Sequence, residues 1–153
     1  MNELSVAEII SGLRGRCPWG VRLGHGSFLT MEFGERREGD LHGATHHGEW
    51  HLWFYMCSWR IEAAGKVLVG SDDDREKMLK TLDGFEFGGV KDIRVALPSL
   101  DLAIQFDSGT EIFTFSSSES GPDQWWLFTP DGNCLTVHGG GRFRYGSSSE
   151  PRA

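Results

Sequence analysis

The chain has 153 residues, a mass of 17.1 kDa, a formal charge of −7 and a pI near 5.3. This length fits one domain, and the lack of an apolar run of about 18 residues argues against a membrane-spanning helix. The acidic charge disfavours nonspecific binding to nucleic acid or to an anionic membrane surface, because both need Lys and Arg to meet phosphates. A basic protein partner is more compatible with this charge.

The chain ends and the cysteines predict a reduced, cytoplasmic protein. The N-terminal Met-Asn-Glu-Leu has neither the basic stretch nor the apolar core of a secretion signal. Cys17, Cys57 and Cys134 are widely spaced and form no C-x-x-C pair, which predicts neither a disulfide framework nor a zinc ribbon. Residues 139–153 are rich in Gly and Ser, so we expect a flexible C-terminal tail after a single domain over residues 1–138.

The first predicted element is a short helix whose N-cap is Ser5. Ser5 and Glu8 have the spacing of a capping box, while Leu4 and Ile9 have that of a hydrophobic staple. The apolar pattern predicts that this helix continues to about Leu13.

A β-hairpin is predicted next, with strands over residues 21–23 and 28–33. Residues 34–48 contain four glycines and few apolar side chains, which predicts an exposed, mobile loop. Residues 50–60 would place apolar side chains on both faces of one strand. Because such a strand must be covered on both sides, we expect it to be the central strand.

The second half of the chain predicts one helix and a series of strands. Ser71–Asp74 would begin the helix, with carboxylates at its positive end. Apolar patterns predict strands over residues 67–69, 93–97, 100–106 and 111–116, and a last hairpin over 125–138. The predicted fold class is therefore α+β, with seven to nine predominantly antiparallel strands and two short helices.

Four histidines, His42, His46, His47 and His51, lie in one short stretch, and their spacing is compatible with metal ligands. Gly43 disfavours a helix there, and no cysteine or carboxylate completes a metal motif at a fixed distance. We interpret this stretch as a solvated loop and predict no metal site.

No catalytic motif is recognisable, and no cofactor is predicted. Cys17 begins a Cys-Pro-Trp-Gly turn that lacks the second cysteine of thiol oxidoreductases. Residues 24–28 do not match the G-x-S-x-G motif of acyl-transfer enzymes, and no helix is predicted after the glycines at 139–141.

Two groups are candidate protein-binding residues. Asp72, Asp73 and Asp74 are most simply explained as capping carboxylates, although they could also steer a basic partner. Trp125 and Trp126 are consecutive, so in a strand one of them must leave the core face. That indole would be an exposed interface anchor, a sugar-stacking platform, or part of a second layer of the same domain.

Three segments, residues 19–29, 48–53 and 126–132, together resemble small bacterial proteins of the immunity type, which neutralise a toxin by binding it. The resemblance implies a cytoplasmic inhibitor of acidic character. The leading hypothesis is therefore a non-enzymatic protein-binding module with a basic protein partner. The alternative is a small-molecule-binding or enzymatic β-rich domain, with a pocket lined by central-strand aromatics and by His25 or His51.

Overall fold

The computed structural model describes residues 5–41 and 44–148. Two short α-helices, α1 (Val6–Ile10) and α2 (Arg75–Leu82), accompany eleven strands in these residues. The strands are β1 (Trp19–Leu23), β2 (Leu29–Leu41), β3 (Ala44–Phe54), β4 (Ser58–Ala63), β5 (Lys66–Gly70), β6 (Val90–Ala96), β7 (Asp101–Phe106), β8 (Glu111–Phe115), β9 (Asp123–Phe128), β10 (Asn133–His138) and β11 (Arg142–Ser147).

The strands form two antiparallel sheets that share one hydrophobic core. The six-stranded sheet has the order β1-β2-β3-β9-β10-β11, and the five-stranded sheet has the order β5-β4-β8-β7-β6. Buried apolar side chains of both sheets belong to one cluster, which contains Phe33, Leu52 and Leu135 from the first sheet and Ile61 and Ile112 from the second. The α+β class with mainly antiparallel strands is confirmed, but the structure has more strands than expected.

Helix α1 begins where the sequence predicted. The Ser5 side chain accepts a hydrogen bond of 3.1 Å from the Glu8 N–H, which satisfies one of the free donors of the first turn. Ile9 and Ile10 are buried in the shared core, and a 3-10 turn continues from Ser11 to Leu13. Leu4 lies outside the described residues. Neither described helix is long and apolar enough to cross a membrane.

The mobile loop predicted over residues 34–48 is wrong, because most of this segment belongs to strands β2 and β3. The two strands pair as Arg37 with His47 and Glu38 with His46. The glycines meet a geometric need instead: Gly34 has φ +80°, and a Cβ on Gly48 would lie 2.4 Å from the Phe33 carbonyl oxygen. A charged two-stranded ribbon with close-packed glycines has the composition of a loop, which explains the error.

The single strand predicted over residues 50–60 is in fact two strands in different sheets. β3 lies inside the six-stranded sheet between β2 and β9, as expected for a central strand. The chain then leaves this sheet after Phe54 and enters the other one at Ser58. Met56, in the connection, is 50% exposed. Apolar residues run through this connection without interruption, so the sequence pattern does not reveal it.

The flexible tail predicted from Gly139 is also wrong over much of its length, because strand β11 pairs with the whole of β10. Gly140 and Gly141 have φ values of +83° and +76° and form the tight turn between the two strands. The Tyr145 hydroxyl lies 3.1 Å from Thr129 Oγ1, which ties β11 to the end of β9. Residues 149–153 lie outside the described part of the chain.

Candidate functional site

The three aspartates predicted to bind a partner lie in the turn between β5 and α2. Asp73 has a structural role, since its Oδ2 accepts a 2.8 Å hydrogen bond from the Gly70 N–H. Asp74 occupies the N-cap position, yet its side chain makes no capping hydrogen bond. Asp72 and Asp74 are exposed. Two of the three carboxylates are thus presented to solvent without a capping role.

Asp72 lines a shallow depression of about 200 Å³ on the five-stranded sheet. Phe115 lines the same depression and is 59% exposed, which is unusual for a large apolar side chain. The Arg60 guanidinium lies 4.8 Å from the Phe113 ring centre and also pairs with Glu62. Because Glu62 offsets the charge of Arg60, the unbalanced charge at the depression is that of Asp72. We call this surface, formed by Ser58, Arg60, Ser71, Asp72, Phe113 and Phe115, the Asp72 depression.

Neither of the two consecutive tryptophans is an exposed anchor. Trp125 is 1% exposed in the shared core, where its Nε1 donates to the Leu100 carbonyl at 3.1 Å. Trp126 is 8% exposed and belongs to a second apolar cluster with Phe128 and Cys134. The structure therefore shows the second layer that the sequence left open, and the expectation of an exposed indole is wrong.

This second layer lies on the outer face of the six-stranded sheet, the face turned away from the shared core. Trp53 on β3 pairs directly with Trp126 on β9, and their ring centres are 4.6 Å apart. The Tyr55 ring stacks on Trp126 at 5.0 Å. Rings at these separations are in direct contact and leave no space for a ligand between them. Any ligand would have to stack on the half-exposed sides of Trp53 and Tyr55.

A buried carboxylate–histidine pair lies beside these rings. His51 Nδ1 is 2.7 Å and 2.8 Å from the two carboxylate oxygens of Glu32, and both side chains are almost fully buried. A carboxylate only accepts hydrogen bonds, so His51 Nδ1 is the donor in this pair. Nε2 is then the ring nitrogen that can accept a proton. The Gly48 N–H also donates to Glu32, at 3.0 Å. This orientation is the one in which a carboxylate positions a histidine as a base.

A second carboxylate–histidine pair lies on the same sheet. His138 Nδ1 is 2.6 Å from Asp123 Oδ1, and Asp123 Oδ2 accepts a 2.8 Å hydrogen bond from Trp126 Nε1. This pair is more open, because the side chains of His138 and Asp123 are 26% and 16% exposed.

Sequence reasoning missed both pairs because their members are distant in the chain and meet only through strand register. Glu32 pairs directly with His51, and Asp123 with His138. The local pattern gave no signal, because Glu32 alternates with Met31 and Phe33 as a solvent-exposed residue of an amphipathic strand does.

The other histidines form no shared site with these pairs in the described structure. His25 is exposed and lies 6.2 Å from the Phe28 ring, and Phe28 in turn contacts Trp53. Within the described residues no group of three or more His, Cys, Asp or Glu side chains could hold a metal ion. His42, from the predicted histidine-containing loop, lies outside these residues.

Two regions thus carry recognisable chemistry: the Asp72 depression combines a carboxylate with an exposed aromatic ring, and the outer face combines packed rings with one buried and one partly exposed carboxylate–histidine pair. Comparison of the chain with protein-family models, with curated proteins and with solved structures found no match.

Proposed function

We propose that this protein is a non-enzymatic protein-binding module of the immunity type, which inhibits a basic toxin or effector through the Asp72 depression. One observation carries the proposal: Asp72 and the 59% exposed ring of Phe115 line the same depression. An aromatic side chain beside an exposed carboxylate is the combination that protein interfaces use as anchor and as charged rim.

Charge supports a basic partner. The chain carries a formal charge of −7, so its long-range field attracts cationic proteins. Asp72 lines the depression, and the exposed Asp74, two residues further along the chain, adds a carboxylate that makes no helix-capping hydrogen bond. These carboxylates would accelerate the encounter, and Phe115 would slow dissociation.

Site-specific photo-crosslinking in the source cells tests this proposal directly. A photoreactive amino acid replaces Phe115 in one variant and Phe143 in a matched control. Phe143 is 41% exposed but lies on β11 of the other sheet. We expect a crosslinked basic protein at position 115 that is absent at position 143 and is weakened by Asp72→Lys. Equal crosslinking at both positions, or none at 115, would contradict the proposed surface.

Kinetics with the captured protein separate the two roles. Asp72→Lys combined with Asp74→Lys should slow association and reduce its salt dependence, because rim charges act on encounter. Phe115→Ala should instead raise the dissociation rate, at a cost of about 2 kcal/mol in binding free energy. If the captured protein is a toxin, its activity should fall on binding. Binding without inhibition would retain the protein-binding module and reject the immunity role.

A second candidate function is small-molecule binding or catalysis on the outer face, which the orientation of the partly exposed His138 by Asp123 favours. A metabolite that raises the melting temperature of the wild-type protein, but not of His138→Gln, would support this alternative. The same metabolite should then have no effect on crosslinking at position 115.

A further inference from the structure

A groove of about 550 Å³ runs between strand β1 and helix α2. Its volume lies within the range of roughly 300–1,000 Å³ that is typical of ligand sites. β1 is the end strand of the six-stranded sheet, so in the described part of the chain no further strand covers its outer edge. The groove therefore opens beside a strand edge.

The backbone of β1 presents hydrogen-bonding groups to this edge. The Gly24 N–H donates to the Phe28 carbonyl at 2.8 Å, toward the β2 side. In an antiparallel ladder successive residues point their N–H and C=O groups to opposite sides, so those of Leu23 point to the open edge. An open edge of this kind pairs with an extended chain.

The side chains around the groove specify what such a chain must contain. Val21 and Leu23 on β1 form its apolar lining together with Leu79 and Leu82 on α2. Leu79 is 46% exposed, which leaves apolar surface available to a ligand. Side chains of an added strand alternate between the two faces of the sheet, so every second residue would enter this lining and should be apolar.

Charge at the groove is opposite in sign to that of the whole protein. Arg22 and Lys80 line it and are both exposed, whereas Asp83 is the one carboxylate among its lining residues. An acidic residue between the apolar positions of a bound chain would meet these cations. A second copy of this protein fits poorly, because the antiparallel register that pairs Val21 with Leu23 would bring two Arg22 side chains together.

We infer that the groove binds an extended peptide segment of another protein, added as a strand to β1, with apolar side chains at alternate positions and acidic residues between them. The groove lies at the C-terminal end of α2, whereas the Asp72 depression lies before its N-terminal end. The inference is therefore independent of the proposed function.

Nuclear magnetic resonance titration with defined peptides tests the inference. The probe is an acetylated and amidated heptapeptide of alternating Val and Glu, and the matched control replaces Glu with Lys. We expect the Glu peptide to shift the amide signals of residues 21–23 and 79–84 and to slow hydrogen exchange at the Leu23 amide. The Lys peptide should bind about tenfold more weakly, because it faces Arg22 and Lys80.

Two further comparisons distinguish strand addition from nonspecific binding of the peptide. A Glu peptide methylated on its pairing backbone nitrogens should bind at least roughly fivefold more weakly, because it cannot donate to β1. Leu79→Asp should abolish the shifts, whereas Leu97→Asp, at a 79% exposed site away from the groove, should retain them. Equal binding of the methylated peptide, shifts that persist in Leu79→Asp, or dimerisation through β1 in sedimentation would overturn the inference.

Discussion

Both faces of the six-stranded sheet bury side chains, but their chemistry differs. The inner face packs apolar side chains such as Met31, Leu52 and Leu127 against the second sheet. The outer face combines aromatic rings with the Glu32–His51 pair, which is just as deeply buried. Burial alone therefore does not identify the core of this fold. On the outer face the polar groups must be paired, so its stability depends on register as well as on area.

The β2–β3 hairpin does not continue straight beyond the six-stranded sheet. Arg22 Nη2 lies 3.5 Å from the His46 carbonyl oxygen. Yet Arg22 pairs with Thr30, and His46 pairs with Glu38, eight residues further along β2. If β2 were straight, eight residues would separate the positions opposite Arg22 and His46 by about 26 Å. The hairpin must therefore bend back toward β1, and Gly34 with its φ of +80° provides the bend.

The largest expected effect compares the two consecutive tryptophans. Trp125→Ala removes a 1% exposed indole from the inner face and should lower the free energy of unfolding toward the upper end of about 3–5 kcal/mol. Trp126→Ala on the outer face should cost less, about 2–3 kcal/mol, because its cluster is smaller. Urea unfolding followed by circular dichroism measures both values.

If Trp125→Ala does not fold, the loss of unfolding free energy is compared between Trp125→Phe and Trp126→Phe instead. An equal or larger loss at Trp126 would show that the outer face contributes as much as the core, and the proposed contrast between the faces would be lost.

The buried pair gives the second comparison. Glu32→Ala leaves the His51 Nδ1–H and the Gly48 N–H buried without their acceptor, and should cost about 3 kcal/mol. The double variant Glu32→Leu, His51→Leu should be less destabilised than the sum of Glu32→Leu and His51→Leu, because each single change leaves the other member of the pair buried without its partner. A double-mutant cycle by urea unfolding gives the coupling energy.

Additive effects in that cycle would mean that the pair contributes nothing beyond packing. The matched cycle on Asp123→Ala and His138→Ala should show weaker coupling, of about 1 kcal/mol or less, because that pair is partly exposed and screened by water.

Local signals in the sequence were sufficient for the fold class. Each of these signals involves only a few neighbouring residues: the N-cap Ser5 of α1, the alternating apolar residues of β7 and the Pro-Asp-Gly turn before β10. The helix and the strands that they predict are present. The number of strands could not be predicted, because the glycines at 34–48 and 139–141 indicate a loop as readily as a bend.

The candidate sites depend on contacts between distant residues and were largely invisible to the sequence. Asp72 was identified from its charge, but its neighbour Phe115 comes from a strand more than forty residues away. Glu32 and His51 meet only because β2 and β3 pair in one register, and a slip of one residue between these strands would place the two side chains on opposite faces of the sheet. The periodicity of each strand does not show which residue of β2 lies opposite which residue of β3.

Thiol reactivity gives the third comparison. Burial in the inner cluster raises the pKa of Cys57 to about 12, so at pH 8 only about one molecule in ten thousand carries the thiolate. Cys17 is exposed, whereas Cys134 is buried in the smaller outer cluster. With iodoacetamide we expect Cys17 to react first, Cys134 later through local opening and Cys57 last. Mass spectrometry of the labelled peptides measures the order, and faster labelling of Cys57 than of Cys134 would contradict it.

The smallest effect is expected in the turn between β9 and β10, at the end of the outer-face strands. The Thr129 hydroxyl donates a hydrogen bond to the Asp131 carboxylate, and Asn133 donates further ones. These hydrogen bonds stabilise the charged form, so the pKa of Asp131 is lowered in the folded protein. Because the folded pKa lies below the unfolded one, Asp131 stabilises the fold above the ordinary aspartate pKa of about 3.9, and this contribution is lost as the pH falls through the folded value. In urea midpoints measured from pH 5 down to pH 2, the gap between wild type and Asp131→Asn should therefore narrow as the pH falls. Thr129→Val removes the main donor and should flatten the same pH dependence, whereas a gap that stays constant with pH would show that the Asp131 carboxylate is not held by this turn.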